Sequence, residues 1–126
     1  MAEFKSVLLV DDSATSRMII QRCFEMAGIQ VGGFICAENG LDALALLKCN
    51  SGIDLVVTDI NMPKMDGRMF TRIVKGDPLY AKLALIVVSS IADGDAEAEL
   101  RSLGAAAVVK KPVSPAKISE ALGGLS

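Results

Sequence analysis

A chain of 126 residues, 52% hydrophobic and without Trp, has room for one ordinary core filled by Val, Ile, Leu, Ala and Met. Its 13 basic and 15 acidic residues leave a net charge of −2 with no basic cluster, so nothing electrostatic favours direct nucleic-acid binding, and proteins are the expected partners. Histidine is absent, which excludes imidazole acid–base chemistry, His metal ligands and an internal phosphohistidine.

The unbroken apolar runs, Leu83 to Val88 among the longest, fall well short of the roughly 18 residues of a membrane span. Met1 to Ser6 lack the basic-then-apolar order of a signal peptide. The expectation is a cytoplasmic monomer with no membrane insertion. Cys23, Cys36 and Cys49 are odd in number, unpatterned and set among apolar neighbours, and are expected to be reduced core residues rather than bridges or zinc ligands.

From Ser6 the pattern alternates strand and helix five times. A strand to Val10 is followed by Ser13 as a helix cap. Met18, Ile19, Ile20, Cys23, Phe24 and Ala27 then recur at helical spacing until Gly28 stops the run. Val31 and Phe34 to Cys36 form a second strand interrupted by Gly32 and Gly33, which an edge position tolerates. Asn39 and Gly40 open a second helix with Ala43, Leu44 and Leu47 on one face, and Asn50 to Gly52 close it.

The third strand, Leu55 to Thr58, delivers Asp59 to a loop rich in Pro and Gly. Asp66 can cap a third helix, about Gly67 to Lys75, with Phe70, Ile73 and Val74 inward, and Asp77–Pro78 ends it. After a fourth strand (Leu83 to Val88), a fourth helix from about Ala92 to Leu103 starts acidic (Asp93, Asp95, Glu97, Glu99), with Glu97 facing Arg101. Ala107 to Lys110 make the fifth strand. Ser114 and Pro115 then open a fifth helix carrying Ile118, Ala121 and Leu122 inward. This alternation predicts right-handed crossovers and a five-stranded parallel sheet covered on both faces, an α/β three-layer sandwich.

The chemistry lies at the strand ends. The first strand ends in Asp11 and Asp12, the third in Asp59, the fourth in Ser89 and Ser90, the fifth in Lys111 and Pro112. The carboxyl edge of an open parallel sheet is where ligands bind. Three carboxylates brought together stay ionised only if cations offset them, and a divalent ion with Lys111 would do so. Oxygen-only donors favour a hard ion, with Mg²⁺ the default beside phosphate. Asp59 is then a nucleophile for a phosphoryl group, with Lys111 and the Ser89 hydroxyl stabilising its charge.

VLLVDDS at 7–13, DINMPKMDG at 59–67, SS at 89–90 and GAAAVVKKP at 104–112 resemble the receiver domain of two-component response regulators, and specifically the single-domain CheY-like ones. The resemblance covers essentially the whole chain, so residues 1–126 are expected to form a single receiver (response regulatory) domain. It implies a flavodoxin-like (βα)5 fold with strand order 2-1-3-4-5, for which CheY is a standard example. It implies that Asp59 accepts phosphate from a CheA-like histidine kinase. Mg²⁺ would be bound by Asp12, Asp59 and the Asn61 backbone carbonyl, with Asp11 helping through water, while Ser89 and Lys111 contact the phosphoryl group. It further implies a cis Lys111–Pro112 peptide, and a phosphoacceptor with intrinsic self-phosphorylation and self-dephosphorylation chemistry rather than an enzyme.

One position departs from the family pattern. Where similar receivers carry Tyr or Phe three residues before the catalytic Lys, this chain has Val108, too small for the usual aromatic switch. The output face is accordingly expected at Ser90 to Gly94 and the acidic start of the fourth helix, with Lys110 nearby and a basic partner surface opposite. The resemblance implies switched partner binding in chemotaxis or related signalling, with a flagellar motor switch one such target; competing outputs are a phosphate sink or a phosphorelay adaptor. A haloacid-dehalogenase-like phosphatase wants a second Asp where Asn61 stands, and a non-phosphorylated interaction scaffold would be missing an acid or the Lys.

Overall fold

A computed structural model of the chain describes residues 3–90 and 94–124. In chain order its elements are β1 (Glu3–Phe4), β2 (Val7–Val10), α1 (Ala14–Met26), β3 (Gln30–Val31), β4 (Phe34–Ala37), α2 (Gly40–Cys49), β5 (Leu55–Asp59), α3 (Gly67–Gly76), a 3-10 turn (Pro78–Tyr80), β6 (Ala84–Ser89), α4 (Gly94–Ser102), β7 (Ala107–Lys110) and α5 (Pro115–Gly123).

Helices α1, α2, α3 and α5 start where a short polar side chain offers the orphan N–H groups of the first turn an acceptor. Ser13 Oγ accepts from the Ser16 N–H, Asn39 Oδ1 from Asp42, Asp66 Oδ1 from Met69 and Ser114 Oγ from Lys117, at 2.9–3.2 Å. Asn39 also donates to the Asp42 carboxylate at 3.0 Å, closing the cap from both sides. At the far end of α1, Gly28 takes φ +76°, a left-handed conformation that ends the helix at little steric cost.

Five strands form one parallel sheet in the order β4-β2-β5-β6-β7. Renumbered among the five, this is the expected 2-1-3-4-5 order. Side chains alternate between its faces. Val7, Leu9, Val57, Ile86 and Val88 meet Ile20, Phe24, Ile118 and Leu122 of α1 and α5. Leu8, Val10, Val56, Leu85 and Val87 meet Leu47, Phe70, Val74 and Leu100 of α2, α3 and α4. Every residue of β2 and β5 is buried, as befits strands covered on both sides. Each fully buried Leu or Phe contributes on the order of 1.5–3 kcal/mol. Among the described residues no helix is long and apolar enough to cross a membrane.

Several expectations need correction. The interrupted second strand is two strands. Its first part, β3, pairs in parallel with β1 in a separate small sheet that periodicity did not reveal. The Asp54 carboxylate fixes the turn between β1 and β2 by accepting the Lys5 and Ser6 N–H groups at 2.9 and 3.1 Å. Cys23 is buried, and burial pushes its thiol upward from the ordinary range, but Cys36 and Cys49 are exposed and are not core residues. All three are free. Ile73 is 39% exposed, because the buried stripe of α3 runs through Phe70, Thr71 and Val74 instead. Met18 and Ile19 likewise lie outward on α1. Ala92 and Asp93, expected to open the fourth helix, lie outside the described residues.

Gly67 matters most to the site. A Cβ there would lie 2.2 Å from the Asp59 carbonyl oxygen and 2.8 Å from Ile60 Cα, so α3 begins in direct backbone contact with the end of β5. The Gly67 N–H also donates to the Ile60 carbonyl at 2.7 Å. Gly67→Ala is therefore expected to lower stability by about 1–3 kcal/mol. Gly76→Ala, whose Cβ meets nothing within 4 Å, should raise it by about 0.4–1 kcal/mol. Urea unfolding midpoints of the two variants check the contrast.

Candidate functional site

The parallel register sets the site. β2 lies between β4 and β5, and β6 between β5 and β7, so the carboxyl ends of β2, β5, β6 and β7 open on one edge. Asp11 follows directly on β2 and donates its N–H to the Ala37 carbonyl at 3.0 Å. Asp59 is the last residue of β5 and pairs with Val88. Ser89 is one step further along β6 and opposite Lys110. The Lys111 N–H donates to the Ser89 carbonyl at 2.8 Å, and Lys111–Pro112 is cis, as the resemblance implied.

Asp11, Asp12 and Asp59 each offer a carboxylate oxygen, and these atoms lie within 4.8 Å of one another. Asp11 and Asp59 are buried and Asp12 is exposed. At an effective dielectric of about 20, two full charges 4.8 Å apart repel by about 3.5 kcal/mol. Lys111 Nζ stands 3.3 Å from Asp59 Oδ2, and the Ile60 N–H donates to Asp59 Oδ1 at 2.8 Å. Burial still holds the Asp59 carboxyl above its ordinary range. The Ile60 N–H and the Lys111 ammonium act against that rise, and the Asp11 charge adds to it.

Asp11 is gripped by the first turn of α1. Ser13 N–H donates to Oδ1 at 2.9 Å, the Ser16 hydroxyl donates to Oδ2 at 2.6 Å, and the Arg17 guanidinium donates to the Asp11 carbonyl. The helix also turns its positive end toward the acids. Ser89 is buried at 2% exposure, while Asn61 is exposed two residues beyond Asp59. The loop carrying Asn61 holds Lys64 at φ +64° and is tied to α2 by Gly40 N–H donating to the Met65 carbonyl at 3.2 Å.

The structure brings Asp11, Asp12, Asp59 and Lys111 together, Ser89 ends the neighbouring strand β6, and Asn61 lies in the loop that follows Asp59. Sequence reasoning missed the residues that hold them. Ser16 could have been found, since a helix capped at Ser13 brings its third residue back over the cap. Lys117 left no such signal. Its ammonium donates to the carbonyls of Lys110 and Pro112 at 3.2 and 2.9 Å, bracketing Lys111, and backbone acceptors have no sequence signature. Val108 is half-buried against the α2–α4 core and lines an open groove of about 490 Å³ with Arg101, Lys110 and Lys117.

A family model for the response regulator receiver domain matches residues 7–123. The chain belongs to that family. Phosphorylation-activated signalling is the family's general function, and receiver domains hold Mg²⁺ through an acidic pocket such as the one formed here. This receiver is 42% identical over 85 residues to the sensor histidine kinase CheAY of Helicobacter pylori, a match covering 67% of the chain but only 10% of that kinase. It is 35% identical over 123 residues to the chemotaxis protein CheY of Thermotoga maritima, covering 97% of this chain and 98% of that one. Among solved structures it superposes on the chemotaxis response regulator CheY4 of Vibrio cholerae with a TM-score of 0.82 at 26% identity, over 98% and 99% of the two chains. It also superposes on the CheX-CheY-BeF3-Mg²⁺ complex of Borrelia burgdorferi, with a TM-score of 0.79 at 28% identity over 94% and 86%.

The raised Asp59 carboxyl makes a signed prediction. A carboxyl whose folded value lies above its unfolded one favours folding only while protonated, and that contribution is lost as pH rises through the folded value. In chelator at neutral pH, Asp59→Asn should therefore unfold at higher urea than the wild type. The advantage should vanish below about pH 3.9, where the unfolded carboxyl is also protonated. An Asp59→Asn midpoint at or below that of the wild type at pH 7 would contradict this account.

Proposed function

We propose that residues 1–126 act as a single receiver domain that accepts a phosphoryl group on Asp59 from a CheA-type histidine kinase and changes its affinity for a protein partner as a result. The observation that carries this reading is the Lys111 ammonium 3.3 Å from a buried Asp59, itself within 4.8 Å of Asp11 and Asp12. Support comes from the likeness to chemotaxis proteins called CheY and to a CheY crystallised with BeF3 and Mg²⁺. The chain would be a substrate of its kinase rather than an enzyme with turnover of its own.

The donor set is oxygen-only and acidic, which fits a hard divalent ion. Asp11, Asp12, Asp59 and the Asn61 backbone carbonyl would hold Mg²⁺, which when bound supplies positive charge to the phosphoryl oxygens. An Asp59 carboxylate oxygen attacks phosphorus. The N–P bond of the donor phosphohistidine breaks as the O–P bond forms, and the imidazole leaves with the electron pair. Lys111 offers its ammonium, and Ser89 its hydroxyl, to the phosphoryl oxygens as charge builds there. Water later cleaves the acyl phosphate, releasing inorganic phosphate and restoring the carboxylate.

Phosphorylation adds roughly 1.5 to 2 negative charges beside β5, β6 and β7. Lys111 and Ser89 lead from that charge to β7 and to the segment before α4. Val108 leaves a small side chain there, so the rearrangement is read at the α4–β7 surface. The acidic start of α4 expected from the sequence is balanced by arginines, the expected Glu97–Arg101 pair among them. Glu97 pairs with Arg101 at 3.7 Å and Glu99 pairs with Arg68 of α3, so among the described residues the surface presents mixed charge. Asp93 lies outside the described residues. A partner with interspersed charges of both signs fits better than a purely basic one.

Acetyl phosphate with Mg²⁺ should add one phosphoryl group by intact mass. Asp59→Asn and excess chelator should each abolish it, and Lys111→Met should slow it by on the order of a hundredfold. Undiminished labelling of Asp59→Asn would sink the assignment. Amide exchange with and without a beryllofluoride mimic should change protection across residues 94–110, and a change confined to α1 would place the output elsewhere.

A further inference from the structure

We infer that Ser16 is a positioning residue for the divalent ion, its hydroxyl holding the Asp11 carboxylate in the orientation that faces Asp59. This rests on the functional reading above. Asp11 is 1% exposed, and both its oxygens are taken by protein donors, Oδ1 by the Ser13 N–H at 2.9 Å and Oδ2 by the Ser16 hydroxyl at 2.6 Å. Arg17 secures the backbone of the same residue through its carbonyl.

The need for two donors follows from charge. Asp11 has an oxygen within 4.8 Å of oxygens on Asp12 and Asp59, and an ionised carboxylate so placed is driven to turn away from its neighbours. One hydrogen bond leaves the group free to swing about that contact. The second, on the other oxygen, removes the rotation. An ionised carboxylate has about four acceptor positions, so one bond to each oxygen leaves further lone pairs for the ion or its waters.

The fold alone does not call for a hydroxyl at this place. The Ser16 N–H is already satisfied by Ser13 Oγ at 3.2 Å, and Ala has the higher helix propensity. What the hydroxyl adds is a bond to an acid of the cluster. Partners of this outer kind typically change metal affinity by about 10–100-fold when removed.

Titration calorimetry with MgCl2 at neutral pH on wild type, Ser16→Ala and Ser16→Thr tests the assignment, with circular dichroism verifying that each variant is folded at the temperature of measurement. Ser16→Ala is expected to raise the Mg²⁺ Kd about tenfold or more. Ser16→Thr, which keeps the hydroxyl, should stay near the wild type. In an Asp11→Asn background the Ser16→Ala substitution should add nothing, because the effect passes through Asp11. A Ser16→Ala Kd equal to the wild type's overturns the inference and leaves the functional reading standing. A lower Kd also overturns it, since the hydroxyl would then compete with the ion. Failure of the wild type to bind Mg²⁺ at all overturns the functional reading as well.

Discussion

The confinement of Asp11 and Asp59 in a buried space governs this structure. Neither has solvent to spread its charge, and with Asp12 they face one ammonium, Lys111. The protein holds them together through many small means: the Ile60 and Ser13 N–H groups, the Ser16 hydroxyl and the positive end of α1. These donors leave a net negative group. Such a group binds a cation because it already carries the unfavourable part of the interaction in the folded state.

The fold makes that concentration affordable by placing it at the rim of an otherwise uniform apolar sheet. Parallel strands bring their carboxyl ends to a common edge, so acids remote in sequence meet without any local motif. β2 and β5, the two acid-bearing strands, are adjacent and buried at every position, which fixes their relative height. The lysine and hydroxyl come from β6 and β7, on the other flank of β5. Negative and positive contributors are thus segregated across the sheet, and Asp59 sits on the boundary between them.

Much of this was legible in the sequence, for physical reasons. Strand cores reveal themselves through apolar β-branched runs, and caps through Ser13, Asn39, Asp66 and Ser114, because each reports a requirement met within a few residues of chain. The site residues were legible because Asp11, Asp59, Ser89 and Lys111 each end such a run. Features set by long-range partners were not. The β1–β3 pairing joins short segments with no periodicity, and Asp54 acts on backbone amides 48 and 49 residues away. The exposure of Cys36 follows from β4 standing at the sheet edge, an order that came from resemblance and not from pattern. The pairing of Glu99 depended on Arg68, a residue of another helix.

The contact between Gly67 and the Asp59 carbonyl carries a mechanical meaning. With backbone touching backbone there, the acid-bearing flank of the molecule has no slack, and Asp59 is anchored as a fixed post. On the opposite flank Val108 borders an open groove, and the carbonyls on either side of Lys111 are braced by one lysine side chain, Lys117. The two flanks of the site are therefore built differently, backbone packed on backbone on one side and a side chain bracing a strand end on the other.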